Sequence, residues 1–397
     1  MKNKTIYNSI ALITIGIFMN GCVDPFDIES ITFESALVIE ATITNEFKHQ
    51  EVSLTRTFKF EEDGPTAEIN AEVKIIDNFQ NIYSFEEGEL GEYSSVSKFQ
   101  AEPNNTYKLL ITTSNGRKYS SESMQLTNIT PVFDISVSKE IKKGKEGISI
   151  LANSFNPSGD SRYYRYDYEE TYKIIAPFWS TQDLIIISDI IPFKVELQPR
   201  TKEERVCYNT ISSNKIIQVS TNQFPEDKVS DFLIKFLTKD DFKISHRYSI
   251  LVRQYVQSLD EFTFYQTLSK LSSSESLFSQ NQPGFLSGNV FSLDSSNEKV
   301  IGYFGLSSVT SKRVFFNYRD FFPNGLPPHI TNCDRIAPLL SEEGSSPLID
   351  DLKAGYKYYT ENDGPDENLL GPYLLVAPSC GDCTKIGSTK IPDFWIN

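Results

Sequence analysis

Histidine, methionine, tryptophan and glycine are all scarce in this 397-residue chain: 3 His, 3 Met, 2 Trp and 20 Gly. The three histidines, His49, His246 and His329, leave little material for acid–base chemistry, and neither a Gly-x-Ser-x-Gly elbow nor a His-Glu-x-x-His pair occurs. Lys and Arg never cluster usefully, and 38 basic side chains face 53 acidic ones, which argues against nucleic acid as a partner. After the N-terminus no apolar stretch approaches the ~20 residues that a membrane-spanning helix needs. Aromatic residues, in contrast, abound. The 28 Phe and 20 Tyr, set among many Ile, Val, Ser and Thr, favour strands over helices.

The first residues indicate a compartment. Lys2 and Lys4 precede a short apolar run, Ile10 to Met19, and then Asn20-Gly21-Cys22, the layout of a secretory signal over residues 1–21. Its Gly-Cys ending resembles the lipobox of bacterial lipoproteins, which implies cleavage before Cys22, diacylation of its thiol and a third chain on the new amino group. At ~0.8 kcal/mol per buried CH₂, several acyl chains anchor a protein almost permanently. An ordinary cleaved signal with an incidental cysteine is the alternative. Removing residues 1–21 leaves 36 basic against 53 acidic side chains, a charge of −17 that favours solubility outside the cytoplasm. Residues 22–35 read as an acidic tether. Asp24, Asp27 and Glu29 there loosely resemble the signal that sends Bacteroidota lipoproteins to the cell surface, or form a plain solvated linker.

The expected fold is mainly β: an immunoglobulin-like β-sandwich over 36–128, then a larger β-rich domain over 129–397 with short helical insertions. Leu37, Ile39, Ala41 and Ile43 alternate with Val38, Glu40, Thr42 and Thr44, the period of a half-buried strand. Ser114-Asn115-Gly116-Arg117 predicts a type I′ hairpin, since Asn-Gly supplies two positive-φ residues. About seven short strands with turns between them suggest the sandwich. In the second region, Arg162–Ile175 and His246–Gln257 are the longest strands, and Val300–Leu306 and Lys312–Tyr318 read as two more. The helical insertion, about 225–282, holds two candidates. One is Val229–Leu237; the other carries Leu259, Phe262, Tyr265, Leu268 and Leu271 at three-residue spacing, with Asp260 as its N-cap. Beyond Phe321 the tail reads as loop-rich and pinned by disulfides.

Several stretches together resemble the Bacteroidota lipoproteins grouped as domain of unknown function 4249. They are Leu37–Glu46, Val52–Thr57, Tyr166–Tyr172, Arg247–Tyr255, Gly288-Asn-Val290, Ile301-Gly-Tyr-Phe304, Cys380-Gly-Asp-Cys383 and Pro392-Asp-Phe-Trp395. The resemblance implies a lipid-anchored outer-membrane lipoprotein, often encoded beside a TonB-dependent receptor and without assigned catalytic residues; the acidic tether adds the expectation of cell-surface exposure.

The remaining chemistry is limited. Cys207, Cys333, Cys380 and Cys383 are expected to form two disulfides, in an unspecified pairing, in an oxidising compartment. A zinc site that adds His329, or a redox-active Cys-x-x-Cys, are the alternatives. Glu169 and Glu170, being adjacent in a strand, point to opposite faces and cannot share a substrate. Asn362, Asp363, Asp366 and Glu367 offer oxygen ligands without EF-hand spacing, so an ordinary acidic loop is expected. Arg162, Arg165, Arg247 and Arg253 are expected to pair with nearby acids. The stripe Tyr164, Tyr166 and Tyr168 is the one candidate binding surface, although a tyrosine-rich strand is more often a sandwich wall. The expectation is therefore a non-enzymatic accessory or substrate-capture subunit of a TonB-dependent β-barrel receptor, with no cofactor and no metal. A structural or adhesive envelope protein is the alternative.

Overall fold

The computed structural model describes residues 35–58, 62–273, 286, 288–325, 327–330, 332–341, 344–364 and 369–396. The expected signal segment over 1–21, Cys22 and most of the expected tether over 22–35 lie outside them, as do residues 274–285 of the expected insertion and the loop acids Asp366 and Glu367.

Strand alternation builds the first unit. In β1 (Leu37–Thr44) the odd positions from Leu37 to Ile43 are buried. There follow β2 (Glu51–Arg56), β3 (Thr66–Ala67), β4 (Glu72–Asp77), β5 (Ile82–Glu87), β6 (Glu92–Ser95), β7 (Thr106–Thr112), β8 (Lys118–Ser121) and β9 (Met124–Gln125). The order β1-β2-β6-β5-β4-β7-β8 is antiparallel throughout. The hairpin at Gly116 differs from expectation. Only Gly116 has positive φ, at 85°, and Thr113 N–H donates to Arg117 O while Gly116 N–H donates to Thr113 O. That is a three-residue loop ending in a left-handed glycine rather than a type I′ turn.

Two stacked sheets form the second unit. Its strands are β10 (Val132–Lys142), β11 (Lys145–Asn156), β12 (Tyr163–Ile175), β13 (Gln182–Ser188), β14 (Lys194–Pro199), β15 (Val206–Ser212), β16 (Ile217–Ser220), β17 (Asp227–Thr238) and β18 (Arg247–Val256). One sheet is β10-β11-β17, and the other contains β15-β12-β18, with β16 also on β12. The expected helix at Val229–Leu237 is therefore wrong: the segment is the body of β17. Register shifts opposite β11 and a left-handed Asp231 (φ 49°) break its alternation. Val229, Ile234 and Leu237 then recur at spacings of five and three, which imitate a helical period while pointing into one core.

The other helix forms as α1 (Leu259–Ser273). Its cap is not Asp260. Ser258 Oγ accepts from Glu261 N–H at 3.1 Å, and Leu259, expected on the apolar face, is exposed. Next come β19 (Val290–Ser292) and the 18-residue β20 (Val300–Asn317), which replaces the two strands expected there. β20 joins the units. Through Ser307 it pairs in parallel with β1, and from Ser308 it pairs antiparallel with β18. Val290, Val300, Phe304 and Leu306 thereby enter the core built by residues 37–119.

The tail folds as β21 (Arg335–Ile336), α2 (Pro347–Lys353), β22 (Lys357–Glu361) and β23 (Tyr373–Val376). It packs with the β13–β14 hairpin around Leu184, Leu348, Tyr358 and Leu375. Disulfides Cys207–Cys383 and Cys333–Cys380 tie it down. Both residues of Cys380-x-x-Cys383 are thus bonded elsewhere, so no thiolate of the four is free to hold zinc. The bridge from Cys207 closes 176 residues, the longer constraint on the unfolded chain.

Candidate functional site

The tyrosine stripe turns inward. Tyr164 and Tyr166 are 0% and 1% exposed and sit between the two sheets of the second unit. Tyr164 Oη donates to Asp227 Oδ1 and Tyr166 Oη to Gln254 Oε1, both at 2.8 Å. Tyr168 is half-buried under Lys235, whose Nζ lies 4.7 Å from the ring centroid. Of the expected binding surface at Tyr164, Tyr166 and Tyr168, the first two are therefore buried core wall, and neither offers a ring face to a ligand. Beside it, buried Glu170 accepts from Lys235, Lys243 and Tyr248. Burial raises the carboxyl's pKa, but those bonds more than offset it and hold it below the ordinary value of 4.5.

The opposite face of β12, β18 and β20 carries charge. Asp167 pairs with Arg253 at 3.3 Å and Glu169 with Arg313 at 2.9 Å, so Glu169 and Glu170 do face opposite ways. The C-terminal segment lies over this face. Arg313 stacks on Phe394 at 3.4 Å, and Trp395 meets Phe315 and Tyr208 edge-on. Of the four arginines expected to form ion pairs, only Arg253 does so among the described residues. Arg162 donates to carbonyls of Gly159, Thr221 and Phe224. Arg165 is sandwiched between Tyr255 and Tyr265.

Arg247, whose guanidinium lies 5.1 Å from the Phe315 ring centroid, borders an open pocket. The ends of β12, β18 and β20 form a row there: Arg247 pairs with Asn317, and Lys173 follows the last β12–β18 pair, Tyr172–Tyr248. Lys173, Ile175, His246, Arg247, Asn317, Tyr318, Arg319 and Pro327 line an open pocket of about 640 Å³. Among the described residues no carboxylate forms an ion pair with Lys173, Arg247 or Arg319. The neighbouring Asp320 instead accepts from Asn317 N–H at 2.7 Å, capping the turn Tyr318–Phe321. Burial, with Lys173 and His329 adding positive field, lowers the pKa of His246 to about 4 and keeps its ring neutral near pH 7. A concave site with uncompensated cations is an attractor for negative charge.

The other sequence candidates are dispersed. Asn362 donates its amide to Leu369 O and Gly371 O and so clamps its loop. His49 Nδ1 lies 2.6 Å from Ser95 O. Among the described residues no group of three or more His, Cys, Asp or Glu is placed to hold a metal ion.

The profile of one family, described as domain of unknown function 4249, matches residues 23–313. The chain belongs to this family. No curated protein matches it. The matched region of domain of unknown function 4249 begins just after Cys22 and ends in β20, so Cys380–Cys383, Pro392–Trp395 and Arg319 lie beyond it. Within it the structure explains the resemblance at Gly288-Asn-Val290 and Ile301-Gly-Tyr-Phe304. Asn289 bonds both Phe304 N–H (2.8 Å) and Phe304 O (2.9 Å). Gly302, at φ +136°, lies so close to β1 that a Cβ would come within 2.1 Å of Ile39 O. Only glycine fits that approach.

Lys173, His246 and Arg319 were not identified from sequence as parts of one site. Each stands near a strand end, 73 to 146 positions apart in the chain. Pairing of β18 with β12 on one side and β20 on the other is what assembles them.

Proposed function

We propose that this chain is a lipoprotein anchored through Cys22 in the outer membrane and exposed at the cell surface. There it acts as a non-enzymatic accessory or substrate-capture subunit of a TonB-dependent β-barrel receptor. The observation that carries this reading is the pocket at the far end of β20. The tethered segment enters at Leu37, opposite Val300, and the pocket lies at Asn317. Seventeen residue steps at ~3.3 Å correspond to about 56 Å of strand between them. A chain held at one end would then present its unneutralised cations away from its anchor. The lipobox-like Gly21-Cys22 and the family match that starts at residue 23 support the same reading.

One observation favours a second reading, a structural or adhesive protein that works through protein contacts. The β13–β14 hairpin exposes Ile185, Ile187, Ile190 and Ile191, and clustered exposed aliphatic surface marks docking sites. Labelling with a palmitate analogue tests the anchor common to both. Wild type should carry the label and fractionate with outer membranes, and Cys22→Ala should lose both. Unchanged membrane retention of the alanine variant would contradict the anchor.

A further inference from the structure

We infer that the pocket formed by Lys173, Arg247 and Arg319 binds a soluble organic oxyanion, a phosphate monoester or carboxylate carried on an apolar body. The inference rests on reading this pocket as the capture site and names what it captures. Acids outnumber bases by 53 to 38 in the sequence, so a cation has many potential partners, yet these three pair with none among the described residues. Lys173 and Arg247 stand on adjacent strands one step past the Tyr172–Tyr248 pair, and like charges so placed repel. The Arg247 guanidinium lies 5.1 Å from the Phe315 ring centroid, its Nε is buried with no hydrogen-bond partner, and its Nη1 makes a long 3.4 Å contact with Asn317 Oδ1. A buried donor without an acceptor costs stability unless a ligand satisfies it. An incoming oxyanion would supply that acceptor and offset the repulsion together, because a guanidinium presents a planar fork to a carboxylate or phosphate. Ile175, Tyr318 and Pro327 form the apolar part of the wall, where the remainder of the ligand would lie.

The test is calorimetric titration of the full acylated chain in detergent, at low salt, with phenyl phosphate, benzoate and benzyl alcohol. Both anions should bind, and the alcohol at least tenfold more weakly. Arg319 is exposed, so Arg319→Gln should fold as wild type does, confirmed by an unchanged melting temperature. It should weaken anion binding by about tenfold, as expected for one lost charge-assisted contact, and Lys173→Gln should add to the loss. Equal binding of the alcohol, no binding of either anion, or anion binding unaltered in both variants would overturn the inference. So would a response only to vesicles containing phosphatidylglycerol, since that would make a lipid headgroup the ligand. Recovery of a receptor barrel with the lipoprotein is measured separately, so loss of the anion would not be confused with loss of the partner.

Discussion

Replacing Glu170 with glutamine should be among the most damaging conservative substitutions in the molecule. The carboxylate is 1% exposed and lies 2.7 Å from Lys235 Nζ, 2.8 Å from Lys243 Nζ and 2.7 Å from Tyr248 Oη. The substitution would keep the shape but leave two part-buried ammonium groups facing a neutral amide. Breaking a buried ion pair from one side costs about 3–5 kcal/mol, because the stranded charge has lost its partner and not regained water. At about 2–4 °C per kcal/mol for a large domain, the melting temperature should fall by roughly 6 °C or more. Thermal unfolding followed by circular dichroism reads this directly. The triple variant Glu170→Leu/Lys235→Met/Lys243→Met removes all three charges and should be less destabilised than the single one. A loss below about 1 kcal/mol for Glu170→Gln, or a triple variant worse than the single, would refute the reasoning. The pH dependence follows in sign. The folded carboxyl titrates below its ordinary value of 4.5, so its contribution is present above that pH and is lost as pH falls through the lower, folded value.

Other expectations follow from the same contacts. His246 has a folded pKa of about 4 against an ordinary 6.5, so the unfolded chain takes up its proton first. Stability should therefore decline as pH falls from about 6.5 towards 4, by at most about 3 kcal/mol and less because the ring is part-exposed; His246→Asn should flatten that limb in urea titrations. Gly302→Ala forces a Cβ towards Ile39 O at positive φ and should cost several kcal/mol, measured as a lower urea midpoint, whereas Gly116→Ala, with open space around it, should cost far less. Asn289→Ala removes both bonds to Phe304 and leaves buried backbone groups unpaired; a loss of about 2–3 kcal/mol is expected by chemical unfolding. Cys207→Ser/Cys383→Ser opens the long loop and should destabilise by roughly 2–5 kcal/mol, with earlier proteolysis of the tail.

Much of the architecture was legible because period-two alternation records burial one residue at a time. β1 and β18 show this, with Tyr248, Ile250, Val252, Gln254 and Val256 all facing one core. β17 was not legible, because its bulge shifts the pattern by a residue. The cap of α1 could have been read: Ser258-Leu-Asp-Glu261 has the Ser-x-x-Glu spacing of a capping box. Alternation also places Tyr164 and Tyr166 on one face, but it cannot say whether another sheet covers that face. Here β10-β11-β17 does. The pocket was hidden for a different reason. Lys173, Arg247 and Arg319 mean nothing singly, and their lack of ion pairs among the described residues emerges only once three strand ends are side by side.

The proposed role, a tethered subunit that serves a receptor, is tested most directly by capturing the tagged chain from a membrane fraction in mild detergent. The expected result is co-recovery of a TonB-dependent β-barrel in near-stoichiometric amount, identified by mass spectrometry. Recovery of the chain alone, under conditions that keep other barrel complexes intact, would contradict the claim and shift weight to an independent adhesive role.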